Sequence, residues 1–181
     1  MTPQDYILYS GGAKGAETIF GRNAERVGIQ VVNFSFNGHQ VEYNNGLRVL
    51  TTEELQRKDV SLTYVSQLLN RKFSNAPLMR KVLQTIMYQI ENGMEVFVVG
   101  AIQTDNTVKG GTGWGVEFAK ICNKPIFVFD QTRDVWHTWD KNTWRSCPDP
   151  KISQTHFTGT GTRFIEANGE KAIQELFDRS F

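Results

Sequence analysis

The chain has 181 residues, 39% of them hydrophobic and 22% charged, with a net charge of +1 at pH 7. That length buries a core without staples, the composition excludes a disordered or collagen-like chain, and no apolar run approaches the roughly 20 residues that span a bilayer. The near balance of charge weighs against a protein that lives on non-specific contacts to a nucleic-acid backbone, so nucleic acid is not the expected partner.

Tyr6 to Tyr9 is a short apolar run ending in Ser10, Gly11 and Gly12. Such a run reads as a strand turning into a helix. The helix is predicted over 14–27, with Ala16, Ile19, Phe20, Ala24 and Val27 at helical spacing and Gly28 as the stop. A second strand follows over 29–34, which makes a βαβ unit and a parallel sheet. Residues 33–46 read as a polar loop. Thr51 is a helix cap with Glu53 and Glu54 in the first turn, and one helix is predicted from there to Leu69. Ser74, Asn75, Ala76 and Pro77 punctuate, and a helix over 77–91 stops at Asn92-Gly93. The run EVFVV over 95–99 is a buried strand. A long loop over 100–113 leads into a helix over 114–122. The next buried strand is 125–129, and 134–146 reads as a small hairpin carrying Trp136, Trp139 and Trp144. A last strand over 156–161 and an amphipathic helix over 168–179 close the chain. The expected fold class is α/β: a single Rossmann-like, three-layer sandwich with four or five parallel strands and a hairpin inserted at about 134–147. Ligands of such sheets sit beyond the carboxyl ends of the strands.

Three predicted strand ends are rich in glycine. The first is Ser10-Gly11-Gly12-Ala13-Lys14-Gly15, followed by Ala16-Glu17. Glycines let backbone N–H groups approach an anion, and a helix N-terminus adds partial positive charge. Ser10 and Lys14 can add phosphate contacts, although the run is neither a Walker A loop nor a full Gly-x-Gly-x-x-Gly. The second is Gly110-Gly111-Thr112-Gly113-Trp114-Gly115-Val116-Glu117, where Thr112 can donate to a phosphate. Glu117 is expected in the first helical turn, facing the same mouth or simply complementing the helix dipole. The third is Thr158 to Arg163, where Thr162 and the planar fork of Arg163 suit an anion.

SGGAKGAE after a strand resembles the SGGA-x-G-x-D/E signature of the SLOG superfamily, Rossmann-like domains that bind nucleotides or nucleotide-derived ligands. GGTGWGVE is similar to the GG-x-G-T-x-x-E signature of its LOG branch, the phosphoribohydrolases. That resemblance implies phosphate binding by the glycines, cleavage of an N-glycosidic bond with the help of Glu117, and a dimer. Met79-Arg80-Lys81 resembles the M-x-x-R-K segment of that branch, with two residues fewer between Met and Arg, and implies a catalytic Arg80. Gly161-Thr162-Arg163 is similar to the G-S/T-R that opens SLOG domains, but here it comes last, as in a circularly permuted chain. Trp114 stands where the LOG pattern has threonine; it either stacks a base or ribose or packs the helix. The resemblance makes a nucleotide-binding sensor, carrier or sponge the leading expectation. A LOG-like N-glycosidase and a single-stranded-DNA binder like the DprA branch are the alternatives. No cofactor is required, and magnesium is expected only beside a pyrophosphate.

The remaining candidates are weaker. His39, His137 and His156 show no metal-ligand spacing with Cys122 and Cys147, and two cysteines make no disulfide framework. Cys122 reads as a small buried hydrophobe. Asp130 ends a strand and either binds ribose hydroxyls or caps the next turn. Asp105 and Asn106 lie in the long loop, a candidate lid. The tryptophans Trp136, Trp139 and Trp144 pin the hairpin to the domain, or line a base pocket or an interface. The opening MTPQDYILYSGG lacks the pattern of a secretory signal, which makes the cytoplasm the expected compartment.

Overall fold

The computed structural model describes residues 1–72 and 76–181; Ser74 and Asn75 of the expected break lie outside the described residues. Eight strands form one sheet: β1 (Ile7–Ser10), β2 (Gln30–Phe36), β3 (Leu47–Leu50), β4 (Glu95–Gly100), β5 (Ile126–Asp130), β6 (Val135–Asp140), β7 (Thr143–Ser146) and β8 (His156–Gly161). Their order across the sheet is β3-β2-β1-β8-β4-β5-β6-β7. All neighbours from β3 to β5 pair in parallel, and β6 and β7 add an antiparallel edge. Six parallel strands therefore replace the expected four or five. The hairpin is not a separate appendage but continues the main sheet.

Helices cover both faces, making a Rossmann-like three-layer sandwich. On one face α1 (Ala16–Val27) and α6 (Ala167–Ser180) pack over Leu8, Val31, Phe97, Val99 and Phe157. Buried Ala16, Phe20 and Ala24 sit one turn apart along α1, and Gly28 ends the helix in the left-handed region at φ 81°. On the other face α3 (Asp59–Leu69), α4 (Pro77–Asn92) and α5 (Thr112–Ile121) cover Val96, Val98, Ile126 and Val128. Every residue of α4 from Leu83 to Ile90 is buried, since the helix is wedged between α3, α5 and the sheet. Strand β4 is buried at all six positions, as a central parallel strand must be.

Several boundaries differ from the sequence reading. The predicted helix from Thr51 to Leu69 is two helices, α2 (Thr52–Gln56) and α3, with the break at Arg57-Lys58. Thr51 does cap α2, accepting from Glu54 N–H at 3.2 Å while Glu54 accepts from Thr51 N–H at 2.8 Å. Strand β2 runs on to Phe36 into the expected loop, and β3 was not foreseen. The C-terminal Phe181 packs at the start of β1, its ring edge to face with Tyr6 at 4.9 Å. Among the described residues, no helix is long and apolar enough to cross a membrane.

Candidate functional site

The unit β1–α1–β2 builds toward one edge with its helix on one face, and β4–α5–β5 builds toward the other edge with its helix on the opposite face. The carboxyl edge between such diverging units is the switch point where ligands of open α/β sheets bind. Strand β8 fills the gap, so the ends of β1, β8 and β4 lie side by side, and the Gly110–Gly113 segment is reached from β4 through the 101–110 loop.

The first glycine loop is bound from several directions. Ser10 Oγ is fully buried and donates to Gly159 O at 2.6 Å, so it ties β1 to β8 and does not face a ligand. Glu42 and Tyr43 donate their N–H groups to Gly12 O at 2.9 and 3.0 Å, and Asn33 Nδ2 donates to Asn45 O at 2.7 Å, holding the 41–45 segment against the loop. At Gly15 φ is 99°, and the backbone of Thr162 and Arg163 lies where a Cβ would go. Ala16 N–H donates to Thr162 O at 3.0 Å, and Thr18 N–H to Ala13 O at 3.2 Å. Much of the donor capacity of this helix start is thus used inside the protein. Lys14 remains exposed at the loop's tip.

Glu17 sits beneath that loop. Its carboxyl accepts from Ala13 N–H at 3.0 Å, from Thr160 Oγ1 at 2.9 Å and from the Gln89 side-chain amide. Burial pushes its pKa up from the ordinary glutamate value, and the three hydrogen bonds oppose that rise. The sequence reading quoted Glu17 within its motif but assigned it no role. Gln89, reaching in from α4, had no local signal at all.

Strand β8 ends in Gly161, Thr162 and Arg163. Thr162 N–H donates to Val99 O at 2.8 Å, and the Arg163 side chain is exposed. His39 lies close enough to Arg163 to feel its charge. Burial first, and then Arg163, lower the His39 pKa. Its ring stacks on Phe36 at 4.5 Å and its Nδ1 pairs with Ser35 Oγ at 3.1 Å. The Phe164 ring is 85% exposed beside Arg163. Lys14, Arg163 and Phe164 therefore offer two cations and a free aromatic face at the ends of β1 and β8.

The second glycine segment is organised by Arg71, which the sequence did not single out. Its guanidinium donates to Gly110 O at 3.0 Å, Val108 O at 3.0 Å, Gln103 Oε1 at 2.9 Å and Thr107 Oγ1 at 3.2 Å. On its other side the loop is clamped by Lys120 and Trp144, which both donate to Asn106 O at 3.0 Å. The 101–110 loop is thus a braced arch rather than the lid envisaged for Asp105 and Asn106. Gly113 N–H donates to Gly110 O, and Trp114 N–H to Gly111 O, closing the first turn of α5 on itself. An open cavity of about 380 Å³ lies here, lined by Arg71, Lys72, Gln103, Lys109, Gly110 and Trp114. Trp114 is 6% exposed, so most of its indole packs the helix. Thr112 begins α5, two residues before the expected start.

Glu117 and Arg80, the expected acid–cation pair, have other partners. Glu117 lies in the second turn of α5, with its Oε2 3.2 Å from Lys120 Nζ. Lys120 in turn sits 3.8 Å from the Trp139 ring centroid, in a cation–π contact. Arg80 forks onto Asp59 at 3.2 and 2.5 Å, and Gln84 donates to the same carboxylate at 2.7 Å. Asp130 takes the turn-capping alternative: it accepts from Thr132 N–H at 3.0 Å, Arg133 N–H at 3.2 Å and Ile102 N–H at 3.1 Å. Trp136 is 2% exposed and stands edge-on to Phe97 and Phe129, and Trp139 faces Trp144 across the hairpin, so all three pin it. Cys122 is exposed, contrary to expectation, since α5 ends at Ile121 and leaves it as the cap.

Among the described residues, no group of three or more His, Cys, Asp or Glu side chains is placed to hold a metal ion. Comparison of the chain with protein-family models, with curated proteins and with solved structures finds no match.

Proposed function

We propose that this chain binds a nucleotide-derived anion at the carboxyl edge of its sheet, as a sensor, carrier or sponge of the SLOG type. The observation that carries this reading is the meeting of the glycine-rich ends of the neighbouring strands β1 and β8, where Gly15 lies against the Thr162–Arg163 backbone beside the end of β4 in a parallel sheet. Lys14 and Arg163 are the exposed cations for a phosphate, and Phe164 is a free ring for a base. The LOG-like hydrolase has less support, because Glu117 is paired with Lys120 and Arg80 with Asp59. Binding without turnover is therefore favoured over cleavage. Magnesium would accompany only a pyrophosphate-bearing ligand. The adjacent chain ends and the central place of β8 favour a permuted relationship to SLOG domains.

Thermal unfolding in the presence of nucleoside monophosphates, ADP-ribose, NAD and cyclic dinucleotides tests the reading. A ligand at 100 times its Kd adds about 2.7 kcal/mol, a rise of roughly 5–10 °C for a domain of this size. The same ligand should give no rise with the Lys14→Glu, Arg163→Glu double variant. A panel without any shift, or a shift the double variant retains, refutes the proposal. Salt-dependent binding of a labelled single-stranded oligonucleotide would support the DprA-like alternative instead.

A further inference from the structure

The first glycine loop covers a carboxyl group that the proposed anion contacts leave unused. Glu17 is buried, and its three partners are all neutral donors: Ala13 N–H, Thr160 Oγ1 and the Gln89 amide. Gln89 is 1% exposed on α4, and its Nε2 lies 2.6 Å from where a Gly11 Cβ would stand. The other half of that amide, Oε1, is buried without a hydrogen-bond partner. A buried acceptor left unpaired is costly and calls for an explanation.

The carboxyl group beside it decides which half of the amide is used. Ionised, Glu17 only accepts hydrogen bonds, and Gln89 Oε1 can give it nothing. Protonated, Glu17 carries an O–H, and Gln89 Oε1 is an unpartnered acceptor one amide rotation away. The Gln89 amide can therefore serve either state of the acid, Nε2 donating to the ionised carboxylate and Oε1 accepting from the protonated one. The loop above them is the place proposed for an anion, one backbone layer from Glu17. Two negative charges so close in a shielded site cannot both persist, so an anion on the loop draws a proton onto the acid below.

We propose that anion binding at the Gly11–Gly15 loop is proton-coupled: Glu17 takes up a proton from solvent when the loop is occupied, donates it toward Gln89, and releases it when the loop empties. This rests on the anion-binding reading above. The upward push of burial on Glu17 acts in the same direction. Other charged groups at this mouth are Lys14 on the loop, Arg163 from β8, His39 from the turn after β2, and Glu42, which is paired with Arg22. The buried polar side chains of α4 are the neutral Gln84, Thr85 and Gln89, of which Gln84 is bound to Asp59 and Gln89 to Glu17. His39 is the histidine beside Arg163 at this mouth, so the control background is His39→Gln.

Sulfate is the probe, since its charge is constant across the pH range used. Calorimetric titration at pH 5.5 to 8.5, in buffers of differing ionisation enthalpy, counts protons taken up per sulfate bound. The expected result is uptake approaching one proton, with affinity falling by up to tenfold per pH unit above the free-state pKa of Glu17. Glu17→Gln, a neutral isostere of the protonated acid, should bind sulfate with no uptake and no pH slope. Gln89→Met, which removes the acceptor, should reduce both and serves if Glu17→Gln does not fold. Sulfate bound with equal uptake by wild type and Glu17→Gln, or with no uptake by either, overturns the coupling and leaves the anion site standing. Sulfate that fails to bind at any pH overturns both.

Discussion

Gly15 is where the end of β8 meets the start of α1, and replacing it with alanine isolates the energy of that junction. Its φ of 99° lies in a region that L-residues rarely enter, at a cost of about 1–3 kcal/mol. The added Cβ would also lie 2.6 Å from Arg163 Cα, against backbone that cannot swing aside. Overpacking of that kind adds about 1–3 kcal/mol, so Gly15→Ala should cost roughly 4 kcal/mol. Gly110 supplies the internal control. Its φ is 73°, but nothing lies within 4 Å of its Cβ position, so Gly110→Ala bears only the left-handed backbone cost of about 1–2 kcal/mol. Each kcal/mol moves the Tm of a domain this size by about 2–4 °C. Thermal and urea unfolding should therefore place Gly15→Ala roughly 8–16 °C below wild type and Gly110→Ala only a few degrees below it. Equal losses for the two variants would refute the claim that β8 and α1 are locked through Gly15.

Arg71→Met should leave the global Tm within a few degrees yet loosen the 101–110 arch, because four hydrogen bonds to that loop come from one guanidinium. Amide exchange at Gln103 and Lys109, whose N–H groups donate to Thr107 O and Ala101 O within the arch, should accelerate, and unchanged protection there would count against it. Burial raises the folded-state pKa of Glu17 above its unfolded value, so the folded protein holds the extra proton. Stability should therefore fall as pH rises from the ordinary glutamate pKa through the raised one, and level off beyond it. Urea unfolding of wild type against Glu17→Gln from pH 4 to 8 should show that loss only in wild type; parallel curves would contradict it. Finally, a chain opened between Pro148 and Asp149, with residue 181 joined to residue 1 by a short Gly-Ser linker, should fold with a Tm within several degrees of the parent. The Tyr6–Phe181 contact makes the closure short, and failure to fold would show that this chain order is needed.

What the sequence made legible was local, and what it hid depends on partners distant in the chain. Strand β8 could be read from its residues, with the boundaries observed, but not its seat between β1 and β4. That seat is decided by the pairing of Ile7 with His156 and of Val99 with Gly161, residues far apart in sequence. Strand β3 escaped because LRVL shows no alternation: three of its four residues are exposed and only Leu50 is buried. It exists as an edge strand because β2 offers a ladder from Asn33 to Phe36. The split at Arg57-Lys58 had no breaker residue to announce it.

The same distinction explains the site. Glycines announce themselves, since their backbone role does not depend on which side chains surround them. Glu117 does depend on that. Moving the start of α5 from Trp114 back to Thr112 puts the acid in the second turn instead of the first, away from the helix's N-terminal mouth. The carboxylate then lies with Lys120 and the hairpin tryptophans. Glu17 shows the converse. In the sequence it is an acid in a first helical turn, where such residues are commonly solvated. Burial comes from β8, which brings Thr160 beneath it, and from α4, which brings Gln89. Both elements are supplied by segments remote from the motif. A glycine signature can therefore identify the mouth of such a sheet while the polar groups that set its charge and protonation remain hidden until the topology is known.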